Sequence, residues 1–205
     1  MLSKINRKDC LDKYRVFPQR SYNDALDDEE YFYPKVFKSY ILTLPSKSFK
    51  GHIKTLGIEL LSLLKYLHED SFIFLGDTGT PWLYQYNEYK PVLEASEYLT
   101  DNKVGKRFNG ALITDTTDLI KFINHLAWLT RCNAALPYIH FIDPSQTILG
   151  NICKYGNLHL DTLNKQADTT LKKFMTRSLF EYGDDNSCNN QFGKTSAIYK
   201  RRTII

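Results

Sequence analysis

The sequence predicts an α/β or α+β protein with one layered domain, a mixed β-sheet and three main helices. Apolar residues recur at spacings of three and four in three segments, about 52–68, 116–131 and 161–176, which is typical of helices. Short apolar strands follow the first two segments directly, so the helix-then-strand unit occurs twice. The 205 residues, of which 42% are apolar, are enough to bury one hydrophobic core.

The first 30 residues differ from the rest of the chain because their few apolar residues follow no periodic pattern. We predict that residues 1–30 form an extended or loosely docked arm that ends in an acidic run. Residues 31–205 then form the single α/β domain. Its first strand is expected over residues 36–42, and Pro34 just before it favours a strand start or an edge position.

The first apolar strand between helices is SFIFLG, at residues 71–76. The segment WLYQYNEYKP at 82–91 follows it with alternating residues, which predicts a return strand and makes residues 77–81 a hairpin loop. Pro91 then suits the first turn of a further helix, which we expect to end near residue 101.

The second half of the chain repeats this organisation. The strand FNGALIT at 108–114 leads into the segment 115–118, which resembles a capping box at the start of a helix. The strand PYIHFID follows that helix at 137–143. The last helix is followed by a polar, loop-like segment and by a final strand at 196–205.

Charge and cysteine content indicate the expected environment. The net charge of +4 is mild and the basic residues are spread along the chain, so a nucleic-acid partner is not favoured, although it stays open. The thiols of Cys10, Cys132, Cys153 and Cys188 match no zinc signature, and we interpret Cys132 and Cys153 as inert. No apolar run fits a signal peptide or a membrane span. We expect a cytoplasmic protein with free thiols, no cofactor and no membrane contact.

The loop Asp77-Thr78-Gly79-Thr80 resembles the catalytic loop of the aspartic proteases, and TILGN at 147–151 is similar to the segment behind that loop in viral-type members. This short resemblance implies that Asp77 is a catalytic carboxylate that faces a second one. The chain has a single Asp-Thr-Gly, so the second carboxylate would come from a symmetric dimer. The strong helices around the loop do not match that all-β family. The alternative is a hairpin turn shaped by Asp77 and Gly79.

A second group of candidate catalytic residues lies in PYIHFID and NLHLD. Because side chains alternate along a strand, His159 and Asp161 share one face of their segment. If the two segments are neighbouring strands, His140, Asp143, His159 and Asp161 would converge as a metal site or an acid–base pair. The alternative is that each histidine finds a hydrogen-bond partner on a half-buried strand.

Aromatic residues cluster in two segments and are the candidate binding residues. They are Trp82, Tyr84, Tyr86, Tyr89, Tyr31 and Tyr33. Tyrosine and tryptophan provide a large contact area at a low entropic cost, which suits protein interfaces. The alternative is that some of these side chains belong to the core.

Together these features favour a small cytosolic protein-binding protein over an enzyme, for instance a bacterial immunity protein that neutralises a toxin by direct binding. The support is a single domain without a catalytic signature and the two aromatic segments. The alternative function is a hydrolase-like enzyme, with or without a divalent metal. It would use His140, Asp143, His159 and Asp161, or else Asp77.

Overall fold

The computed structural model describes residues 2–23, 28–84, 87–133, 136, 138–183 and 188–192. The helices are α1 (Arg7–Lys13), α2 (Phe49–Tyr66), α3 (Lys90–Asp101), α4 (Leu119–Cys132) and α5 (Lys165–Met175). The strands are β1 (Ser3–Ile5), β2 (Gln19–Asn23), β3 (Asp28–Phe32), β4 (Lys38–Thr43), β5 (Ser71–Gly76), β6 (Ala111–Asp115), β7 (Ile139–Ile142), β8 (Ile148–Ile152), β9 (Leu158–Thr162) and β10 (Glu181–Tyr182). The strand predicted at 196–205 lies outside the described residues.

Eight strands form one sheet in the order β1-β6-β5-β7-β8-β9-β4-β10, and β2 pairs with β3 in a separate hairpin. Every strand pairing in the described part of the chain is antiparallel, so the predicted mixed sheet is wrong. β6 and β7, which α4 connects, do run parallel, but β5 lies between them and is antiparallel to both. The sequence pattern of a helix followed by a strand is the same whether or not another strand lies between the two that the helix connects, so it could not predict this order.

The three main predicted helices correspond to α2, α4 and α5, and the further helix predicted from Pro91 to about residue 101 corresponds to α3. Among the described residues, α1 is a helix that was not predicted. Side-chain caps explain three of the starts. The Asn6 side chain accepts a hydrogen bond from the backbone N–H of Asp9, Ser48 accepts one from Gly51, and Asn164 accepts one from Ala167. None of the described helices combines the length and the apolar character that crossing a membrane requires.

The described part of the predicted N-terminal arm packs on the sheet instead of docking loosely. β1 pairs with β6 at the sheet edge, and Cys10, Tyr14 and Phe17 are buried in a cluster with residues of β5 and β7. The periodicity could not show this, because α1 buries Cys10 alone and is too short for a repeating stripe. The β2–β3 hairpin crosses residue 30, and the domain division there stays a prediction.

The predicted return strand is wrong for its described residues. Residues 82–83 form a turn and residues 87–89 form no strand, while residues 85–86 lie outside the described part. β5 has no free edge for a hairpin partner, since β6 and β7 occupy both of its edges. Trp82 is instead anchored individually, because its indole Nε1 donates to the Gly110 carbonyl oxygen over 2.8 Å.

The two faces of the sheet differ in what covers them. On one face Phe72, Phe74 and Phe141 form an aromatic layer, and the Phe74 ring packs on Phe122 of α4 at 4.8 Å between centroids. On the other face Leu75 and its apolar neighbours on the central strands contact the N-terminal segment. This second face becomes polar along β7, β8 and β9, and it carries the candidate site.

We predict that Gly150→Ala lowers the free energy of unfolding by about 1–3 kcal/mol, measured by urea denaturation. A Cβ at this position would lie 2.4 Å from Cζ of Phe141. The Phe141 ring cannot move away, because it is fully buried and packs on Phe72 at 4.9 Å between centroids. Gly105→Ala is the matched control, since no atom lies within 4 Å of its Cβ, and should change stability by less than about 0.5 kcal/mol. Equal losses in both variants would contradict the prediction.

Candidate functional site

A cavity of about 610 Å³ lies on the second face of the sheet. Its floor is polar and comes from β7, β8 and β9. Its walls carry the tyrosines 31, 33, 138 and 155, and two cysteines, Cys153 and Cys188, contribute to the lining. A concave site that combines aromatic walls with a few converging polar groups is typical of a ligand-binding site.

The strand register places the floor residues in one row. His140 on β7 pairs with Asn151 on β8, and Asn151 pairs with His159 on β9. Partners in register point to the same face, so both imidazoles lie on the cavity side. Because neighbouring strands are about 4.8 Å apart, the backbones of the two histidines are roughly 10 Å apart, with Asn151 between them. The two predicted segments thus share a face, but β8 separates them.

Three potential metal ligands meet at this site. Cys153 Sγ lies 3.2 Å from Cys188 Sγ, which in turn lies 3.2 Å from His159 Nε2. The three ligand atoms all lie within 4.8 Å of one another. Thiolate sulfur and imidazole nitrogen are the donors that zinc prefers in proteins. The cluster can therefore hold a metal ion, provide a nucleophilic thiolate beside an imidazole, or form a disulfide between its two cysteines.

Local structure explains why the cluster forms. The turn between β8 and β9 closes through the N–H of Cys153, which donates to Asn157 over 3.0 Å, and through Gly156, whose φ of +87° is in the left-handed region. This tight turn returns the chain so that Cys153 lies beside His159. The Asn157 side chain then holds the C-terminal segment, donating to the Asn189 carbonyl oxygen over 3.1 Å and to Cys188 Sγ over 3.5 Å.

The contacts move the pKa values of the two thiols in opposite directions. The hydrogen bond from Cys153 is the main cause that lowers the pKa of Cys188 to about 4, and His159 and Asn157 add to it. The pKa of Cys153 is raised because its thiol donates that hydrogen bond and because it is buried. These shifts favour Cys188 over Cys153 as the thiolate of the pair, and a thiolate is both a nucleophile and a metal ligand.

His140 is a buried imidazole that keeps one nitrogen available. Its side chain is buried, and its Nδ1 has no hydrogen-bond partner within the described residues. Burial, together with the smaller effect of the nearby His159, lowers the pKa of His140 to about 4. The Tyr33 ring meets it edge-on at 6.3 Å between centroids. A neutral imidazole at the cavity floor can thus form a hydrogen bond with a bound molecule.

The two carboxylates predicted with the histidines have different positions. Asp161 lies on the cavity face of β9, and its carboxylate accepts a hydrogen bond of 2.6 Å from the Tyr33 hydroxyl. Burial, followed by this hydrogen bond, raises the pKa of Tyr33. Asp143 lies away from the cavity and shapes the β7–β8 turn, where it accepts hydrogen bonds from Thr147 N, Thr147 Oγ1 and Ile148 N over 2.7–2.8 Å.

Asp77 is buried at the end of β5 and its surroundings are cationic. Its carboxylate lies 3.4 Å from Nε of Arg20, and Arg7 donates to the carbonyl oxygen of neighbouring Gly76 over 2.7 Å. A protease dyad requires a second carboxylate beside the first, and here an arginine occupies that place. The left-handed φ of +70° at Gly79 fits the turn interpretation of this loop.

The candidate binding tyrosines and tryptophan lie in different parts of the structure. Tyr31 and Tyr33 line the cavity and are half exposed, at 51% and 40%. Tyr84 is exposed outside the cavity, whereas Trp82 is buried in the core. Tyr89 is partly buried against the core, with its ring 5.8 Å from that of Trp128. Tyr86 lies outside the described residues.

Sequence reasoning missed Cys153 and Cys188 as site residues. The only local signal was the spacing of six between Cys153 and His159, which a hairpin between β8 and β9 would bring together. Cys188 lies 35 positions after Cys153 in a polar segment, so no spacing rule links the two.

We predict that the unfolding free energy of the metal-free protein falls as the pH drops from about 6.5 to about 4. The unfolded chain binds a proton at His140 near pH 6.5, whereas the folded chain resists it until about pH 4, so stability is lost through this window. The share of His140 is at most about 3 kcal/mol. His52 and His125 act in the same direction, because burial lowers their pKa values too. The free energies of unfolding of the natural chain and of His140→Gln, measured by urea denaturation, should therefore converge as the pH falls. Equal pH dependence of the two free energies would contradict the assignment.

Comparisons with known proteins add no family to this description. No family model, no curated protein and no solved structure matches the chain significantly. The chemistry of the described residues is therefore the basis for assigning a function.

Proposed function

We propose that this protein is a hydrolase-like enzyme whose centre is a zinc ion held by Cys153, His159 and Cys188. The observation that carries the proposal is the meeting of three ligand atoms, within 4.8 Å of one another, at a cavity of about 610 Å³. Sulfur and imidazole donors favour zinc among the divalent ions, whereas magnesium and calcium favour oxygen donors.

The distances within the cluster are compatible with a metal. With Zn–S bonds of about 2.3 Å and Zn–N bonds of about 2.0–2.1 Å, neighbouring ligand atoms around a tetrahedral ion lie roughly 3.5–3.8 Å apart. Two of the observed separations are 3.2 Å. An outward movement of about half an ångström at Cys188 would bring these two separations to the tetrahedral values, while the third separation, between Cys153 and His159, lies within 4.8 Å.

The number of ligands favours a catalytic site over a structural one. Among the described residues, no fourth histidine, cysteine or carboxylate joins the group. Structural zinc sites have four protein ligands, whereas catalytic sites have three and leave one position for water, whose pKa falls to near 7. Here that position would face a cavity that a small molecule can enter. His140, on the same face of the sheet and lining the same cavity, is the candidate hydrogen-bonding or acid–base residue.

The roles of the other predicted residues follow from their places. Asp161 orients the Tyr33 hydroxyl at the edge of the cavity, so it is a positioning residue in the proposed enzyme. Asp143 supports the turn that connects two floor strands, and its role is structural. A catalytic role for Asp77 is not part of the proposal.

We predict that the purified protein binds about one equivalent of zinc, measured by metal analysis after dialysis. His159→Gln and Cys188→Ala should weaken zinc binding by more than the roughly 10- to 100-fold that changes outside the ligand set cost. Cys10→Ala is the matched control. This buried thiol lies outside the cluster, so the variant should bind zinc as the natural chain does. Cobalt in place of zinc should show a thiolate charge-transfer band that Cys188→Ala loses.

Activity gives the second readout of the same prediction. The zinc-loaded protein should hydrolyse members of a panel of generic ester and phosphoester substrates, and chelation followed by zinc addition should remove and restore the rate. Equal zinc binding in His159→Gln and Cys10→Ala would contradict the metal site. Bound zinc without hydrolysis of any substrate in the panel would argue against the enzymatic role.

Protein binding, for instance as a bacterial immunity protein, is the second candidate. It is favoured by exposed aromatic side chains at the cavity entrance, where the Arg20 guanidinium lies over the rings of Tyr31 and Tyr138 at 5.4 and 5.9 Å. Both tyrosines are about half exposed. Large aromatic groups held in place by an arginine are typical of interface anchors.

We predict that a protein partner, if this role is correct, forms a stoichiometric complex that needs these rings. The double variant Tyr31→Ser and Tyr138→Ser should weaken that complex by more than about tenfold in a binding titration, since interface anchors of this kind cost about 2 kcal/mol. Tyr182→Ser is the control, because Tyr182 is equally exposed but lies on the edge strand β10 and does not line the cavity. The same loss in the control variant, or none in the double variant, would contradict this second role.

A further inference from the structure

The two thiols of the cluster are also placed to react with each other. We infer that Cys153 and Cys188 are a modification site that forms a reversible disulfide, and that this bond controls the proposed metal centre. The disulfide itself requires only the two thiols. Its effect on the metal rests on the proposed function.

The separation of the two sulfurs lies between those of two chemical states. A disulfide requires about 2.05 Å between sulfurs, and two thiolates on one zinc ion lie roughly 3.8 Å apart. The observed distance is 3.2 Å. Neither cysteine belongs to a helix or strand, since Cys153 follows β8 in a turn and Cys188 lies in the irregular segment 188–192. Small movements of these segments can therefore reach either state without breaking a strand pairing.

Exposure distinguishes this pair from the other thiols of the chain. Cys153 and Cys188 are partly buried and line the cavity, so a small oxidant can reach them. Cys10 and Cys132 are buried in the core at 0% and 2% exposure. Oxidation follows thiolate character and access, and only this pair has a second thiol in contact to resolve the first product.

The reaction balances with a peroxide as the oxidant. The Cys188 thiolate attacks one oxygen of hydrogen peroxide, the O–O bond breaks, and the departing hydroxide takes a proton to become water, which leaves a sulfenic acid on Cys188. The Cys153 thiol then loses its proton as its sulfur attacks Cys188 Sγ. The S–O bond breaks, and hydroxide leaves with that proton as a second water. Two electrons pass from the sulfurs to the peroxide oxygens, and a dithiol reductant reverses the step by exchange.

The structure indicates what the bond would do to the centre. Sulfur in a disulfide has no thiolate charge and is a poor zinc ligand, so only His159 of the three ligands would remain. The reduced pair binds metal and the oxidised pair releases it. Zinc and peroxide thus compete for the same two sulfurs, and bound zinc should slow the oxidation.

The test starts from the full-length, metal-free protein treated with a small excess of hydrogen peroxide. Remaining thiols are alkylated, and the digest is analysed by mass spectrometry without reduction. We expect a cross-linked peptide pair that contains Cys153 and Cys188 with one hydrogen lost from each thiol, and its disappearance after dithiothreitol. Oxidation of either residue to sulfinic acid without a cross-link, or a cross-link through Cys10 or Cys132, would overturn the inference.

Measurements of zinc release and of zinc binding distinguish this inference from the proposed function. Zinc-loaded protein should release its metal to a colorimetric chelator in step with disulfide formation, and Cys10→Ala should behave in the same way. If the metal-free protein forms the disulfide but no zinc ever binds, the site stands as a redox modification and the proposed function is overturned. If zinc binds and peroxide yields no disulfide, the proposed function stands and the inference is overturned. The mapping uses the natural sequence, so it does not depend on whether a cysteine variant folds.

Discussion

The register of three neighbouring strands is the constraint on which the candidate site depends. The pairings of β7 with β8 and of β8 with β9 align His140, Asn151 and His159 in one row. The same register places Phe141 opposite Gly150 on the other face, where the buried ring fills the space that a side chain at 150 would need. A slip by one residue would exchange the two faces, so packing against the helices also fixes the polar row.

Side chains from the helical layer also hold the turn that carries Cys153. His52 of α2 places its Nε2 2.8 Å from the Gly156 carbonyl oxygen, and Arg131 of α4 donates to the Lys154 carbonyl oxygen over 2.9 Å. The buried Arg131 guanidinium also lies over the Phe49 ring at 4.0 Å from its centroid. Polar groups of this kind are costly to bury, but each satisfies a backbone carbonyl of the turn. The cysteine is thus positioned by the core and not only by its own strand.

Periodicity was sufficient for the elements whose apolar residues repeat, such as α2 and β5, because burial on one face requires that repeat. It could not reveal β5 as an intervening antiparallel strand, since strand order depends on contacts between distant segments. Alternation along 82–91 was misleading because Trp82 is anchored by its indole and not by a strand pairing. His140 and His159 could be predicted as site residues, because side chains alternate between the two faces of their strands. Cys188 could not, since only the tertiary structure brings it to Cys153.

The polarity of the cavity floor is difficult to explain by stability alone. A buried nitrogen such as His140 Nδ1, which has no partner among the residues that the structure describes, costs about 1–3 kcal/mol relative to a paired one, and an apolar residue at that place would avoid the cost. Next to it on the same face, Leu75 shows that the sheet accepts an aliphatic side chain in the neighbouring register position. Local rules of good packing are usually broken where a site requires it. In this chain, the row from His140 to His159, which ends at the two thiols, combines several such departures from good packing in one place.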